Sequence, residues 1–189
     1  MNKGSWFFGY GSLVNCKSHH YPDTEPATLK GWQRRWVQTP AQDFCYLSAN
    51  PVGHGVIDGL IARVPNDDWQ ALDEREAGYL RHPVSDLVES KARAENIQVY
   101  SIPSSDYEID QAPKPILLSY LDVVLLGFDK VFGRQGVERF IETTDNWLRP
   151  ILNDRAQPIY PRHQALQHDE QIWIDELLKK LPSQIKSSI

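Results

Sequence analysis

The sequence is poor in cysteine, in uninterrupted apolar runs and in basic charge. Cys16 and Cys45 are its only cysteines. Two thiols so placed make no disulfide scaffold, so the chain reads as a cytoplasmic protein with reduced thiols. No stretch approaches the roughly 18 consecutive apolar residues of a membrane span. The start, MNKGSWFFGYGSL, carries one lysine and too short an apolar run for a secretory leader. No membrane association is expected. Lysine and arginine total 20 against 25 aspartates and glutamates, a formal charge of -5, which argues against a nonspecific nucleic-acid binder. Internal repeats and low-complexity tracts are also missing. His19, His20 and His54 lack acidic or cysteine partners at metal-site spacing, and His163 and His168 do not fall in an HExxH helix. GYGSL has neither the lysine of a phosphate-binding loop nor a dinucleotide fingerprint. Neither metal nor cofactor is expected.

Apolar and aromatic residues are plentiful. Hydrophobic residues make up 41% of 189, including six Trp, eight Tyr and six Phe, enough for a core that needs no staples. One domain is expected over residues 1–180, with a frayed tail over 181–189. WFFGYGSLV, WVQT and FCYLSA read as short strands, with NCKSHHYPDTEPATLKGWQRR as an interruption, and GVIDGLIARVP resumes the strand pattern. Gly53, Gly55 and Gly59 suggest strands bending around a small barrel. NIQVYSI is a further strand.

The period changes in PNDDWQALDEREAGY. Asp67 is the expected cap of a short helix with Trp69 and Leu72 on one face, Glu76 close to that same face, and Gly78 ending it. SYLDVVLLGFDKVFG and GVERFIETTDNWL read as two amphipathic helices, and DEQIWIDELLKKL as a last one. RPILNDRAQPIYPRHQ reads as an ordered connection, because its Ile, Leu and Tyr residues suit burial.

Taken in order, FGYGSL (8–13), LKGWQRRW (29–36), GVIDGLIARV (55–64), LDEREAGY (72–79) and the Tyr-bearing PILLSYLDVVLLGF resemble the gamma-glutamylcyclotransferase superfamily, with the N-terminal motifs closest to the ChaC-like branch. The resemblance implies an α+β fold, a small mixed β-barrel surrounded by helices, with a C-terminal helical extension from about residue 142. It implies that Tyr10, Gly11, Ser12 and Leu13 bind the free amino-acid end of a gamma-glutamyl group, and that Glu76 is the general acid/base. The implied reaction converts a gamma-glutamyl peptide or amine, glutathione among them, to 5-oxoproline and the released amine. The substrate's own α-amino group is the nucleophile, so the reaction needs no metal and no cofactor. The implied partner is thus a small gamma-glutamyl substrate.

Each assignment has a plainer competitor. Glu76 shares an acidic run with Asp73 and Glu74, which alone reads as a solvated helix face. Tyr10 between its glycines also reads as sheet packing. Tyr79 and Tyr120 are candidate ligand contacts, since tyrosine buries its ring while aiming a hydroxyl, and core packing is the other reading. A strand alternates faces, so at most one of Arg34 and Arg35 points inward, and Arg35 is the candidate support residue. Residues 142–162 read as a structural buttress. The alternative to an enzyme is a noncatalytic binding or structural protein using the cavity for a carboxylated metabolite or a protein partner.

Overall fold

A computed structural model describes residues 4–109 and 111–186. Strand β1 (Trp6–Gly9) is buried along its whole length because it runs between two neighbours, antiparallel to β3 (Tyr46–Arg63) and parallel to β6 (Ile97–Ser101). Its alternating side chains divide the core. Phe8 joins the large cluster with Trp36, Leu47, Ile61 and Phe128, whereas Phe7 packs on the opposite face with Ala62, Leu72 and Tyr100.

Two strands are far longer than the sequence pattern indicates. The segment read as an interruption supplies most of β2 (Glu25–Val37), and FCYLSA and GVIDGLIARVP are halves of one strand, β3. The pattern breaks because the ladder does: Lys30 pairs with Val56, but Trp32 pairs with Pro51, so Gly31 faces the four-residue excursion 52–55. Gly31, Gly53 and Gly55 all have positive φ there. Across this bulge the buried set of β2 changes parity, from Ala27 and Leu29 to Trp32, Arg34 and Trp36.

The sheet is open, which corrects the expected barrel. Its order is β4 (Leu80–Pro83), β6, β1, β3, β2, β5 (Val88–Ser90), with β8 (Thr144–Asp145) also paired to β2. Closure needs the outermost strands to pair at a matched stagger. Here they are short pieces with no pairing to each other among the described residues. Helix α2 (Leu118–Glu142) covers the apolar face that a barrel would turn upon itself.

Helix α1 (Trp69–Arg75) covers the other face through Leu72 and Trp69. Its cap is Asp68, whose side chain accepts from the Gln70 N–H at 3.0 Å, and not the expected Asp67. Asp67 instead accepts the N–H of Ser5 at 2.5 Å. Helix α2 is interrupted at Gly133, with φ +68° and ψ -176°, where the first of the two expected helices ends. Its second part stops at Glu142, and Thr144 and Asp145 join the sheet, so the expected helix over 136–148 is too long.

The C-terminal residues brace α2. A three-stranded parallel sheet joins β7 (Ile116–Leu117), β9 (Ile151–Leu152) and β10 (Ile185–Lys186). β10 falls within the tail expected to fray, whose residues 187–189 lie outside the described ones. Buried Asp154 accepts the Ser119 N–H at 2.8 Å and its hydroxyl at 2.5 Å, satisfying a donor of the first turn of α2. Arg155 donates twice to Asp122, each at 2.7 Å, and once to Asp175 of α3 (His168–Leu178) at 2.6 Å.

Candidate functional site

The chain leaves β1 at Gly9 and enters a single 3-10 turn, Ser12–Val14, closed by the Val14 N–H on the Gly11 carbonyl at 3.0 Å and the Asn15 N–H on the Ser12 carbonyl at 3.0 Å. The N–H groups of Gly11 and Leu13 donate to no acceptor among the described residues. The turn therefore carries backbone donors to spare, as an anion-binding nest requires. Gly127 of α2 lets the helix approach: a Cβ there would lie 2.7 Å from the Asn15 nitrogen. Gly11 faces Tyr120 in the same way, since its Cβ would lie 2.6 Å from the Tyr120 hydroxyl and 3.2 Å from Leu47.

Glu76 follows the last residue of α1. Its N–H donates to the Leu72 carbonyl at 2.9 Å, and its own carbonyl accepts the Tyr79 N–H at 2.9 Å, across a turn in which Gly78 has φ +89°. This places the Glu76 carboxylate and the Tyr79 ring beside the 10–13 loop. The side chain of Glu76 is 18% exposed, and its Oε1 accepts from Arg75 Nε at 3.2 Å.

A cavity of about 50 Å³ lies at this convergence. Tyr10, Gly11, Ser12 and Leu13 line it from the loop, Glu76 and Tyr79 from the end of α1, and Tyr120 from α2. All seven of these sequence-predicted residues thus meet in one place. Arg35 does not. It lies at the surface, 3.8 Å from Asp145, while Arg34 is the buried neighbour and donates from Nε to the Tyr10 carbonyl at 3.0 Å.

The sequence reading also missed Tyr100 and Leu47, which complete the walls. The Tyr10 hydroxyl donates to the Tyr100 carbonyl at 2.7 Å, and the Tyr79 hydroxyl to the Leu47 carbonyl at 3.0 Å. Tyr100 sits in a strand whose string carries no motif, so pairing with β1 alone brings it here. The spacing of Trp32, Arg34 and Trp36, every second residue, is the one signal that could have selected Arg34 over Arg35.

Electrostatically, Glu76 is singular. It is the only carboxylate lining the cavity among the described residues. Burial pushes its carboxyl above the ordinary glutamate range, opposed by the charges of Arg75 and Arg162. Burial raises Tyr10, Tyr79 and Tyr120 as well, which keeps those phenols neutral. A carboxyl raised in this way, among neutral hydroxyls, has the properties of a general acid/base at a water-poor site.

The chain is similar to known proteins. Residues 5–110 match the family described as ChaC-like protein. The glutathione-specific gamma-glutamylcyclotransferase of Saccharomyces cerevisiae is 25% identical over 98% of this chain, which spans 63% of that protein's length. Among solved structures, a gamma-glutamyl cyclotransferase superposes with a TM-score of 0.59 at 15% identity, over 92% of this chain and 99% of the other. A protein from Homo sapiens gives 0.58 at 15% identity, over 95% and 100%. YkqA from Bacillus subtilis gives 0.58 at 19% identity, over 75% and 54%. These superpositions show a shared fold. Superfamily membership supports a related catalytic chemistry. The chain belongs to the ChaC-like family of the gamma-glutamylcyclotransferase superfamily.

Proposed function

We propose that the protein is a gamma-glutamylcyclotransferase in which Glu76 is the general acid/base. One observation carries the reading: a raised carboxyl and a turn with unspent backbone donors face the same small cavity. The N–H groups of Gly11 and Leu13 hold the substrate's α-carboxylate, with the Ser12 hydroxyl, hydrogen-bonded to the Tyr120 phenol, beside them. Glu76 takes a proton from the α-ammonium, and the freed amine attacks the gamma-carbonyl carbon. A new C–N bond closes the five-membered lactam, Glu76 returns the first proton to the departing nitrogen as the original amide C–N bond breaks, and the second proton shed by the ring nitrogen leaves with the amine as its ammonium. The products are 5-oxoproline and an amine. Holding nucleophile and carbonyl in one bent conformation supplies the proximity term. Two free cysteines suit a cytoplasmic setting.

The test is direct. Purified protein is mixed with glutathione, gamma-glutamyl amino acids and gamma-glutamyl amines, and 5-oxoproline is measured by mass spectrometry. Product from at least one class is expected. No product from folded protein, with binding still measurable by calorimetry, would favour a noncatalytic binding protein. The Arg75–Glu76 pair and the small cavity supply the specific case for that second reading.

Gly11→Ala tests the loop. The added methyl has to displace the Tyr120 hydroxyl, and that ring is set edge-on to Trp36 at 6.0 Å and to Tyr160 at 5.0 Å between ring centroids. We expect turnover at low substrate concentration to fall about tenfold or more, corresponding to at least about 1.4 kcal/mol, in a protein that also loses the roughly 1–3 kcal/mol that overpacking costs but stays folded at the assay temperature. Parent-like kcat/KM would remove the turn from the binding site.

A further inference from the structure

The two unspent donors of the turn, the N–H groups of Gly11 and Leu13, each belong to a peptide whose carbonyl is held from behind. In a trans peptide the C=O and the N–H point in opposite directions, so fixing the oxygen of one residue aims the N–H of the next. The Tyr10 carbonyl accepts from Arg34 Nε, which sets the Gly11 N–H. The Ser12 carbonyl accepts the Ser18 hydroxyl at 2.7 Å and the Asn15 N–H at 3.0 Å, which sets the Leu13 N–H. The following carbonyl, that of Leu13, lies 3.0 Å from His19 Nε2. Both Ser18 and His19 are buried.

These two side chains can hold the turn because their own segment is anchored at both ends. A second 3-10 turn, Cys16–Ser18, follows Asn15, whose Oδ1 accepts the Lys17 N–H at 3.1 Å and whose Nδ2 donates to the Val123 carbonyl of α2 at 2.9 Å. Beyond it, His19 Nδ1 accepts the Tyr21 N–H at 3.1 Å, and the Tyr21 ring stands edge-on to Phe7 of β1, 4.8 Å between centroids. A carbonyl only accepts and an amide N–H only donates, so both contacts of His19 are made together by one form of the ring, the neutral tautomer with its proton on Nε2. Burial holds the imidazole below the ordinary histidine range, opposed by the Leu13 carbonyl and reinforced by Arg75 and His20. The other titratable side chains beside it, Lys17, Tyr21, Arg162 and His163, include no carboxylate that would favour the cation.

We infer that Ser18 and His19 are positioning residues for the carboxylate-binding turn: from behind it they hold the Ser12 and Leu13 carbonyls and so keep the Leu13 N–H turned into the cavity. The inference rests on the proposed cyclotransferase reading and adds to it two residues that line no part of the cavity and act through the backbone. The α-carboxylate is held alike in the ground and transition states. Loss of this support therefore weakens binding more than it slows the chemical step.

On a gamma-glutamyl substrate that the parent consumes, Ser18→Ala and His19→Asn are each expected to raise KM about threefold to tenfold, the worth of one hydrogen bond, with kcat within about twofold of the parent. The asparagine amide sits where Nδ1 does, so it can accept from Tyr21 but does not reach Leu13. His19→Gln carries its amide N–H out to the position of Nε2 and should return KM to within about twofold of the parent. A readout without substrate goes with it. Amide hydrogen exchange at Val14 and Asn15, whose N–H groups close the turn, should quicken about threefold to tenfold in Ser18→Ala and His19→Asn and much less in His19→Gln. Parent-like KM in Ser18→Ala or His19→Asn, equal losses in His19→Gln and His19→Asn, or exchange rates that do not move overturn the inference. Failure of the enzymatic reading is read separately, by titrating gamma-glutamylglycine into the Glu76→Gln protein with and without Ser18→Ala. Weaker binding in the double variant upholds the positioning role even where no compound yields 5-oxoproline. Equal affinities reject it, and no binding to Glu76→Gln alone rejects it together with the enzymatic reading.

Discussion

Replacing Glu76 with Gln is expected to lower 5-oxoproline formation by about 100-fold to 10,000-fold, the usual worth of a positioned general acid/base, in a protein that remains folded. The amide keeps the size of the carboxylate, and its oxygen can still accept from Arg75 Nε. It cannot carry a proton between the α-ammonium and the leaving nitrogen. Turnover close to that of the parent, on a substrate the parent consumes, would remove Glu76 from the acid/base role.

The same substitution has a second readout that does not depend on substrate. Burial raises the Glu76 carboxyl above its value in the unfolded chain, so the folded state holds this proton more tightly. The contribution to stability is therefore fully present below the unfolded pKa, about 4.3, and is lost as pH rises through the higher folded value. The carboxamide of the Glu76→Gln variant does not titrate. The stability difference between variant and parent should accordingly move in favour of the variant between about pH 4 and pH 8. Thermal unfolding midpoints of both proteins across that range measure it. A gap that is constant with pH would mean that Arg75 and Arg162 offset the burial completely.

The site was more legible in the sequence than the sheet that holds it. Tyr10 to Leu13 and Glu76 to Tyr79 lie in short continuous strings, and turn chemistry at Gly11 and Gly78 is local enough to read. What joins the strings is not local: Glu76 meets the loop because α1 packs through Leu72 on Phe7 and Tyr100, a contact between three separate segments. Tyr100 was unreadable for that reason. The barrel expectation failed on Gly53 and Gly55, which were read as curvature and instead lie in the excursion opposite Gly31. That bulge also resets the parity of β2, so the pattern before it says nothing of the arginines, and only the local spacing of Trp32, Arg34 and Trp36 marks Arg34 as the inward one. Asp67 and Asp68 are adjacent and chemically identical, and only the path of the chain into α1 separates the cap from its neighbour.

Arg34 carries the other large expected effect. It is wholly buried, and its three nitrogens each have a different acceptor: Nε the Tyr10 carbonyl at 3.0 Å, Nη1 the Thr143 hydroxyl at 2.7 Å, and Nη2 the Asp58 carbonyl. The guanidinium lies 5.0 Å and 4.9 Å from the ring centroids of Phe128 and Phe140. Burial pulls it down to about 9, partly countered by Asp58, so it is still protonated at neutral pH. Arg34→Met would relieve that desolvation but take a donor from the buried Tyr10 carbonyl and from the partly buried Asp58 carbonyl, at about 1–3 kcal/mol for the buried one and less for the other. The Asp58 carbonyl is held in β3 and the Tyr10 carbonyl is buried in the loop after β1, so the loss of their donor should outweigh the relief. We expect a net loss of about 2–4 kcal/mol in urea unfolding. Arg34→Lys should recover little of it, because one ammonium cannot span three acceptors on separate segments. A loss below about 1 kcal/mol for the Met variant would mean the carbonyls find other donors. Since one of those acceptors is the carbonyl of Tyr10, the variant should also bind gamma-glutamyl substrates more weakly at temperatures where it is still folded. Arg34 is thus the point at which the stability of the open sheet and the shape of the 10–13 loop depend on one side chain.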